Sequence, residues 1–243
     1  MKHRSEVREK FTLYYEHVKT QLKVRMKKIR CDNARELTAL GDTCKRNYGM
    51  ECSLTVKHTP EQNGVAERMI RTVSERMRCL LVHFELPEGL WAEAANTAAY
   101  CVNIVPNTTR SMEVPYAVWF RETPAYTRLR TFGCAVLAYI DKVERKKLNA
   151  RAREAIFVGY SRERRGYRLL DCKTNKAFYS HTLVFDEDRP GRILLGSDRA
   201  RSTKLVGLIL NCIGIALVGL FVVKSEVEKV AVMTVMMNKS HAS

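Results

Sequence analysis

Two carboxylates, Asp32 and Glu67, occupy positions from which they could hold a metal ion and work on phosphodiesters. Asp32 closes the stretch 24–31, Val-Arg-Met-Lys-Lys-Ile-Arg-Cys, which reads as a strand. Glu67 falls in the first turn of a helix expected to begin just after Gly64. In a parallel strand–helix–strand crossover, a strand end and a following helix start can meet at one edge of the sheet. Two carboxylates brought together there repel, and a divalent cation relieves the repulsion. Oxygen-only ligands suit magnesium or manganese. Two such ions about 3.5–4 Å apart can clamp the attacking and leaving oxygens of an in-line phosphoryl transfer, an arrangement that normally takes a third carboxylate. On residue types alone the commoner reading is a strand-end Asp making a turn and a surface Glu favoured by a helix N-terminus.

Cations surround the pair. Glu67, Arg71, Ser74 and Arg78 recur at spacings of three and four and share one helix face, with Arg68 beside them. They read as phosphate contacts, with Gln62 and Asn63 of the preceding loop approaching backbone or bases. A solvent-facing ion-pair stripe is the alternative. Lys146, Lys147, Arg162, Arg164 and Arg165 form a second basic group. Tyr160 and Tyr167 near it are read as core rather than as base-stacking platforms. The formal charge is +16, and the segments 1–30 and 142–168 each contribute +7. Such a balance calls for a polyanion, nucleic acid first and an anionic membrane surface second. With 46% hydrophobic residues the chain can build a core, which excludes wholesale disorder. The eight cysteines contain no C-x-x-C pair and no zinc-finger spacing, and the charged first thirty residues lack a secretory signal. A reducing intracellular compartment follows.

Elements that would position these groups are legible. Val7, Phe11, Tyr14 and Val18 give a helix over 5–21 with Ser5 as its cap. A short helix over 35–48 closes at Gly49, and 51–57 alternates like a second strand. The turn-rich segment 58–64 leads into a long amphipathic helix over 65–84, with Val65, Met69, Val73, Met77, Leu80 and Phe84 as its buried stripe. Pro87 opens an alanine-rich helix near 88–104 that Pro106 ends. Apolar runs at 132–140, 155–160, 166–170, 177–180 and 182–185 predict five short strands of a small barrel.

The segment His58-Thr-Pro-Glu-Gln-Asn-Gly-Val-Ala-Glu67-Arg resembles the signature of Copia-type retrotransposon integrases, in which Pro-x-Gln-Asn-Gly precedes Val-x-Glu-Arg. Asp32-Asn33, 35 positions before Glu67, resembles that family's second Asp with its Asn. Leu90-Trp91-Ala-Glu-Ala, Pro115-Tyr116 with Trp119, and Leu129-Arg-Thr-Phe-Gly133-Cys134 follow in the family's order. Phe157-Val-Gly-Tyr160, Gly166-Tyr-Arg-Leu169 and Val184-Phe-Asp-Glu187 complete a match over residues 1–188.

The resemblance implies an α/β fold: the C-terminal half of an RNase H-like core over 1–86, a helical extension over 87–125 and an SH3-like barrel over 126–190. It implies DNA integration, with Asp32 and Glu67 as two members of an Asp-Asp-Glu set binding magnesium or manganese. Element-end and target DNA would be the partners, homo-oligomers the working form and the nucleus the place of work. The first Asp and a zinc-binding module would lie before Met1, so the chain is expected not to catalyse alone, and its basic surfaces alternatively serve DNA binding only. With only two core strands, residues 1–60 are expected to be marginal in isolation. Where the family has Asp-Asn-Gly-Gly, Ala34 and Arg35 stand here, restricting any turn that needs positive φ. In the tail, 191–243, the uncharged run of 19 at 205–223 is long enough to cross a membrane, with Arg199, Arg201 and Lys204 setting its N-terminal side in the cytoplasm. A buried helix or a tail from a misjoined reading frame fits the same run.

Overall fold

The computed structural model describes residues 6–23, 25–31, 34–54, 64–108, 111–161, 166–195, 222–224 and 229–232. The chain divides into two compact units.

The first unit comprises residues 1–72, 118–122 and 210–243. Helix α1 (Val7–Leu22) turns its predicted stripe inward: Val7, Phe11, Tyr14 and Val18 are all buried. They pack with Ile29 and Cys31 of strand β1 (Lys28–Cys31) and with Leu37, Leu40 and Cys44 of helix α2 (Arg35–Tyr48). Gly49 ends α2 at φ 61°, where its N–H donates to Lys45 O at 3.2 Å. Strand β2 (Glu51–Leu54) then pairs parallel with β1. The expectation of only two strands is corrected here. A strand at Lys229–Val232 pairs parallel with the other edge of β1, and Val222–Lys224 pairs antiparallel with that strand. The sheet therefore has four strands with β1 inside, which gives its N–H and C=O groups partners on both sides.

Helix α3 (Gly64–His83) starts in the first unit and ends in the second. The second unit otherwise holds residues 73–117 and 123–209. Its centre is an antiparallel sheet of β3 (Cys134–Tyr139), β4 (Ala152–Tyr160), β5 (Tyr167–Asp171), β6 (Ala177–Ser180) and β7 (Leu183–Pro190), in the order β6-β5-β4-β3-β7. All five predicted strands are present, β7 running five residues further than the apolar run did. Helix α4 (Trp91–Ile104) follows a 3-10 turn at Glu88–Leu90, so the predicted helix over 88–104 begins as a tighter turn. Its small residues bring it close to β4: Ala94 and Ala98 are fully buried, and the Thr97 hydroxyl donates to Val158 O at 3.4 Å. A short helix α5 (Pro115–Phe120), which the sequence pattern did not predict, places Trp119 against the core of the first unit.

One face of the five-stranded sheet packs Leu86, Leu90, Ala94, Ile156, Val158, Leu170 and Leu195, with Met77, Leu80 and Phe84 of the long-helix stripe alongside. The other encloses Phe157, Tyr160, Tyr167 and Phe185 in edge-to-face and tilted contacts at 4.9–6.1 Å. Of the long-helix stripe Val73 is buried, and the Val65 side chain lies outside the described residues.

Two carboxylates tie the sheet's turns. Asp171 Oδ1 accepts from the N–H groups of Lys173 and Thr174 at 2.9 and 2.8 Å, closing the β5–β6 hairpin. Burial pushes its pKa up, but those N–H bonds and Arg153 outweigh it, and the net shift is down. Glu187 Oε2 accepts from the Thr131 hydroxyl and N–H at 2.7 and 2.9 Å, which holds its carboxyl below the usual range. Folded-state pKa values below unfolded ones of about 3.9 and 4.3 mean a contribution fully present above about pH 5 and lost on acidification through the folded values. The melting temperature should be level between about pH 7 and 5 and fall below about pH 4. In the double variant Asp171→Asn/Glu187→Gln this acid limb should be shallower, and equal slopes for variant and parent in a circular-dichroism pH series would reject the assignment.

Candidate nucleic-acid interface

The parallel register sets the frame of the first site. Cys31 pairs with Leu54, so β1 and β2 end at the same edge of the sheet. Asp32 is the residue that follows β1, and α3, with Glu67 in its first turn, is the next described element after β2. Asp32, Gln62 and Asn63 themselves lie outside the described residues. Glu67, Arg68, Arg71 and Arg78 are all exposed on α3. Arg68 Nε donates to Gly64 O at 3.2 Å, anchoring one arginine to the helix's first turn. Acidic residues in a first helical turn are favoured by the helix dipole, and the exposed Glu67 carboxylate is open to a ligand. Ala34 sits at φ −61°, ψ 134°, ordinary extended backbone, and Arg35 is an exposed first residue of α2.

In the second unit most arginines near the sheet are committed to its fold. Arg168 forms a two-pronged pair with Glu93 of α4, both bonds at 2.8 Å, and its third arm donates to the Tyr179 hydroxyl at 2.7 Å. Burial works to lower the Arg168 pKa, and the Glu93 carboxylate more than reverses it, so the guanidinium stays charged. Arg130 pairs with Glu187 at 3.6 Å and lies over the Phe185 ring. Arg153 lies 3.7 Å from the Phe178 ring centre and pairs with Asp171 at 3.5 Å. Arg128 stands over Tyr167, whose hydroxyl donates to Arg128 O at 3.2 Å. Tyr160 and Tyr167 are half-buried and pack against the Phe157 core, in line with the reading from the sequence, and burial raises the Tyr160 pKa. The cations left exposed include Lys146 and Lys147, in the loop between β3 and β4, while Arg162, Arg164 and Arg165 lie outside the described residues. That loop also carries Lys142, Arg145 and Arg151, which the charge of the 142–168 run includes but which were not singled out as contacts.

Residues 134–194, which span the antiparallel sheet, match the model of the retroviral polymerase SH3-like domain. Over 217 residues, 88% of its length, the chain is 34% identical to the retrovirus-related Pol polyprotein from transposon TNT 1-94 of Nicotiana tabacum. Over 188 residues it is 30% identical to the retrovirus-related Pol polyprotein from transposon RE1 of Arabidopsis thaliana. The chain carries a retroviral polymerase SH3-like domain and, over most of its length, resembles a region of Copia-type retrotransposon Pol polyproteins.

The chain spans 16% and 13% of those two polyproteins. It is also 40% identical over 86 residues to an uncharacterized mitochondrial protein of Arabidopsis thaliana, covering 69% of that protein. A glycine stands at the head of β3, just before the matched residues. Gly133 lies at φ +85°, donates its N–H to Phe157 O at 2.8 Å and accepts the Gly191 N–H at 2.8 Å. No disulfide joins the seven described cysteines. The apolar run at 205–223 lies outside the described residues except for Val222 and Val223, which stand in a strand. Among the described residues, no helix is long and apolar enough to cross a membrane.

Proposed function

We propose that this chain is the DNA-handling part of a Copia-type integrase, with Asp32 and Glu67 as two of three metal-binding carboxylates of an RNase H-like core. The observation that carries the reading is the parallel pairing of β1 with β2: the chain leaves both at one edge, just before Asp32 and before the helix bearing Glu67. The donor set is oxygen-only, which fits magnesium or manganese better than softer ions. When bound, such an ion supplies charge neutralisation at the reacting phosphate. The residues of this chain do the positioning. Arg68, Arg71 and Arg78 on α3, with Gln62 and Asn63 ahead of it, hold DNA phosphates, and Lys146, Lys147, Arg164 and Arg165 hold more on the SH3-like domain. In this reading the chain binds DNA in the nucleus.

Duplex DNA binding followed against salt tests this. Each phosphate contact contributes a slope of about 0.9 in log affinity against log salt, so Arg68→Ala/Arg71→Ala/Arg78→Ala should flatten the line by about 2–3. Manganese binding, read by calorimetry, should vanish in Glu67→Gln, while metal-free DNA affinity stays within about twofold because Glu67 contacts no phosphate. An unchanged salt slope in the triple variant would remove α3 from the interface, and unchanged manganese binding in Glu67→Gln would remove the metal site.

A further inference from the structure

The β3–β4 loop has a feature that phosphate contacts leave unexplained. Val143 and Leu148 are each 99% exposed, against 68% for Val82, the next most exposed large apolar side chain among the described residues. The loop is a defined projection. The Ile140 N–H donates to Arg151 O across its base at 3.0 Å, and the Asn149 N–H donates to Lys146 O within it at 3.0 Å. Between the two aliphatic tips stand Arg145, Lys146 and Lys147, and Lys142 precedes Val143. From 141 to 151 there are five cations against Asp141 and Glu144.

A purely apolar partner would strip water from these cations without offsetting their charge. A purely charged one would leave both tips in water. The complementary surface alternates negative groups with apolar ones a few ångströms apart. Nucleic acid does this, its phosphates flanking base faces and sugar edges, and apolar side chains insert where stacking is already weak. We propose that Val143 and Leu148 are wedges that the loop's cations seat against bent or unstacked DNA, so that this domain prefers distorted over regular duplex. The inference rests on the DNA-handling function proposed above, and the net charge of +16 favours a polyanion over an isolated acidic peptide.

The test uses the full chain, fluorescence anisotropy, an intact duplex, the same duplex with a two-base bulge, and a series of salt concentrations. The parent should bind the bulged duplex about tenfold more tightly than the intact one. Val143→Ser/Leu148→Ser should bind intact duplex like the parent, with the same salt slope, and lose the preference. Lys146→Ala/Lys147→Ala should flatten the slope by about two on both duplexes. The inference is overturned if the serine variant keeps the preference, or if the parent binds intact duplex and shows none. It is also overturned if phosphatidylserine vesicles or an acidic leucine-containing peptide capture the parent and not the serine variant. Absence of binding by the parent to either duplex would instead overturn the DNA-handling function itself.

Discussion

Glu93→Ala should lower the stability of the second unit by about 3 kcal/mol, because it leaves the Arg168 guanidinium largely buried without its carboxylate. The side chains of Glu93 and Arg168 are 7% and 19% exposed and joined by two bonds of 2.8 Å, so little water reaches either group to replace its partner. The residual bond to the Tyr179 hydroxyl keeps the loss near the low end of the range for broken buried pairs. A midpoint shift at constant slope in a urea titration is the measurement. Glu93→Met/Arg168→Leu supplies the control. Removing both charges together should recover most of the loss, since a well-packed apolar pair often matches a buried ion pair. If the double variant is as unstable as the single one, the pair matters through packing rather than through charge.

Gly133→Ala should cost about 3 kcal/mol, combining a left-handed backbone with an overpacked contact. At φ +85° an L side chain is strained, and an added Cβ would stand 2.5 Å from Leu86 Cδ1. Relief by movement is blocked on the other side, where Gly191 approaches closely enough that its own Cβ would meet Gly133 O at 2.6 Å. For a chain of this size the melting temperature should fall by about 6–12 °C. Leu86→Ala in the Gly133→Ala background separates the two terms. Partial rescue would assign part of the cost to the contact, and none would assign all of it to the backbone.

Local chemistry explains what the sequence made legible. The α1 stripe of Val7, Phe11, Tyr14 and Val18 is a period of three to four residues facing one core, and Gly49 is a helix stop that needs only its own φ. The five sheet strands are marked by turn residues such as Asp171 and Asn175, whose backbone bonds are closed within six residues. Tyr160 was read as core because tyrosines in barrel strands more often pack inward than stack on bases, and it packs against Phe157. What escaped notice depends on partners far along the chain. Glu93 looked like an ordinary helix residue, and only Arg168, 75 positions later, makes it structural. The strand at Lys229–Val232 has no local sign that β1 is its neighbour, so the first sheet was expected to be half its size. On the candidate site, helix spacing exposed the cations of α3, whereas the residues of the β3–β4 loop lacked periodicity and were read only for charge.

The place of β1 inside its sheet has a bearing on how the chain is made. Its neighbour β2 emerges from the ribosome some twenty residues after it, but the strand on its other flank comes some two hundred residues later. At roughly 5–20 residues per second, β1 waits tens of seconds for that partner while the SH3-like domain has already been synthesised in full. Throughout that interval one row of β1 backbone groups is unpaired, the condition under which strands find partners on other chains. Translation rate therefore becomes a variable in the yield of folded protein, with slow passage through the codons up to Val232 lengthening the exposure and chaperone capacity setting how much of it is tolerated.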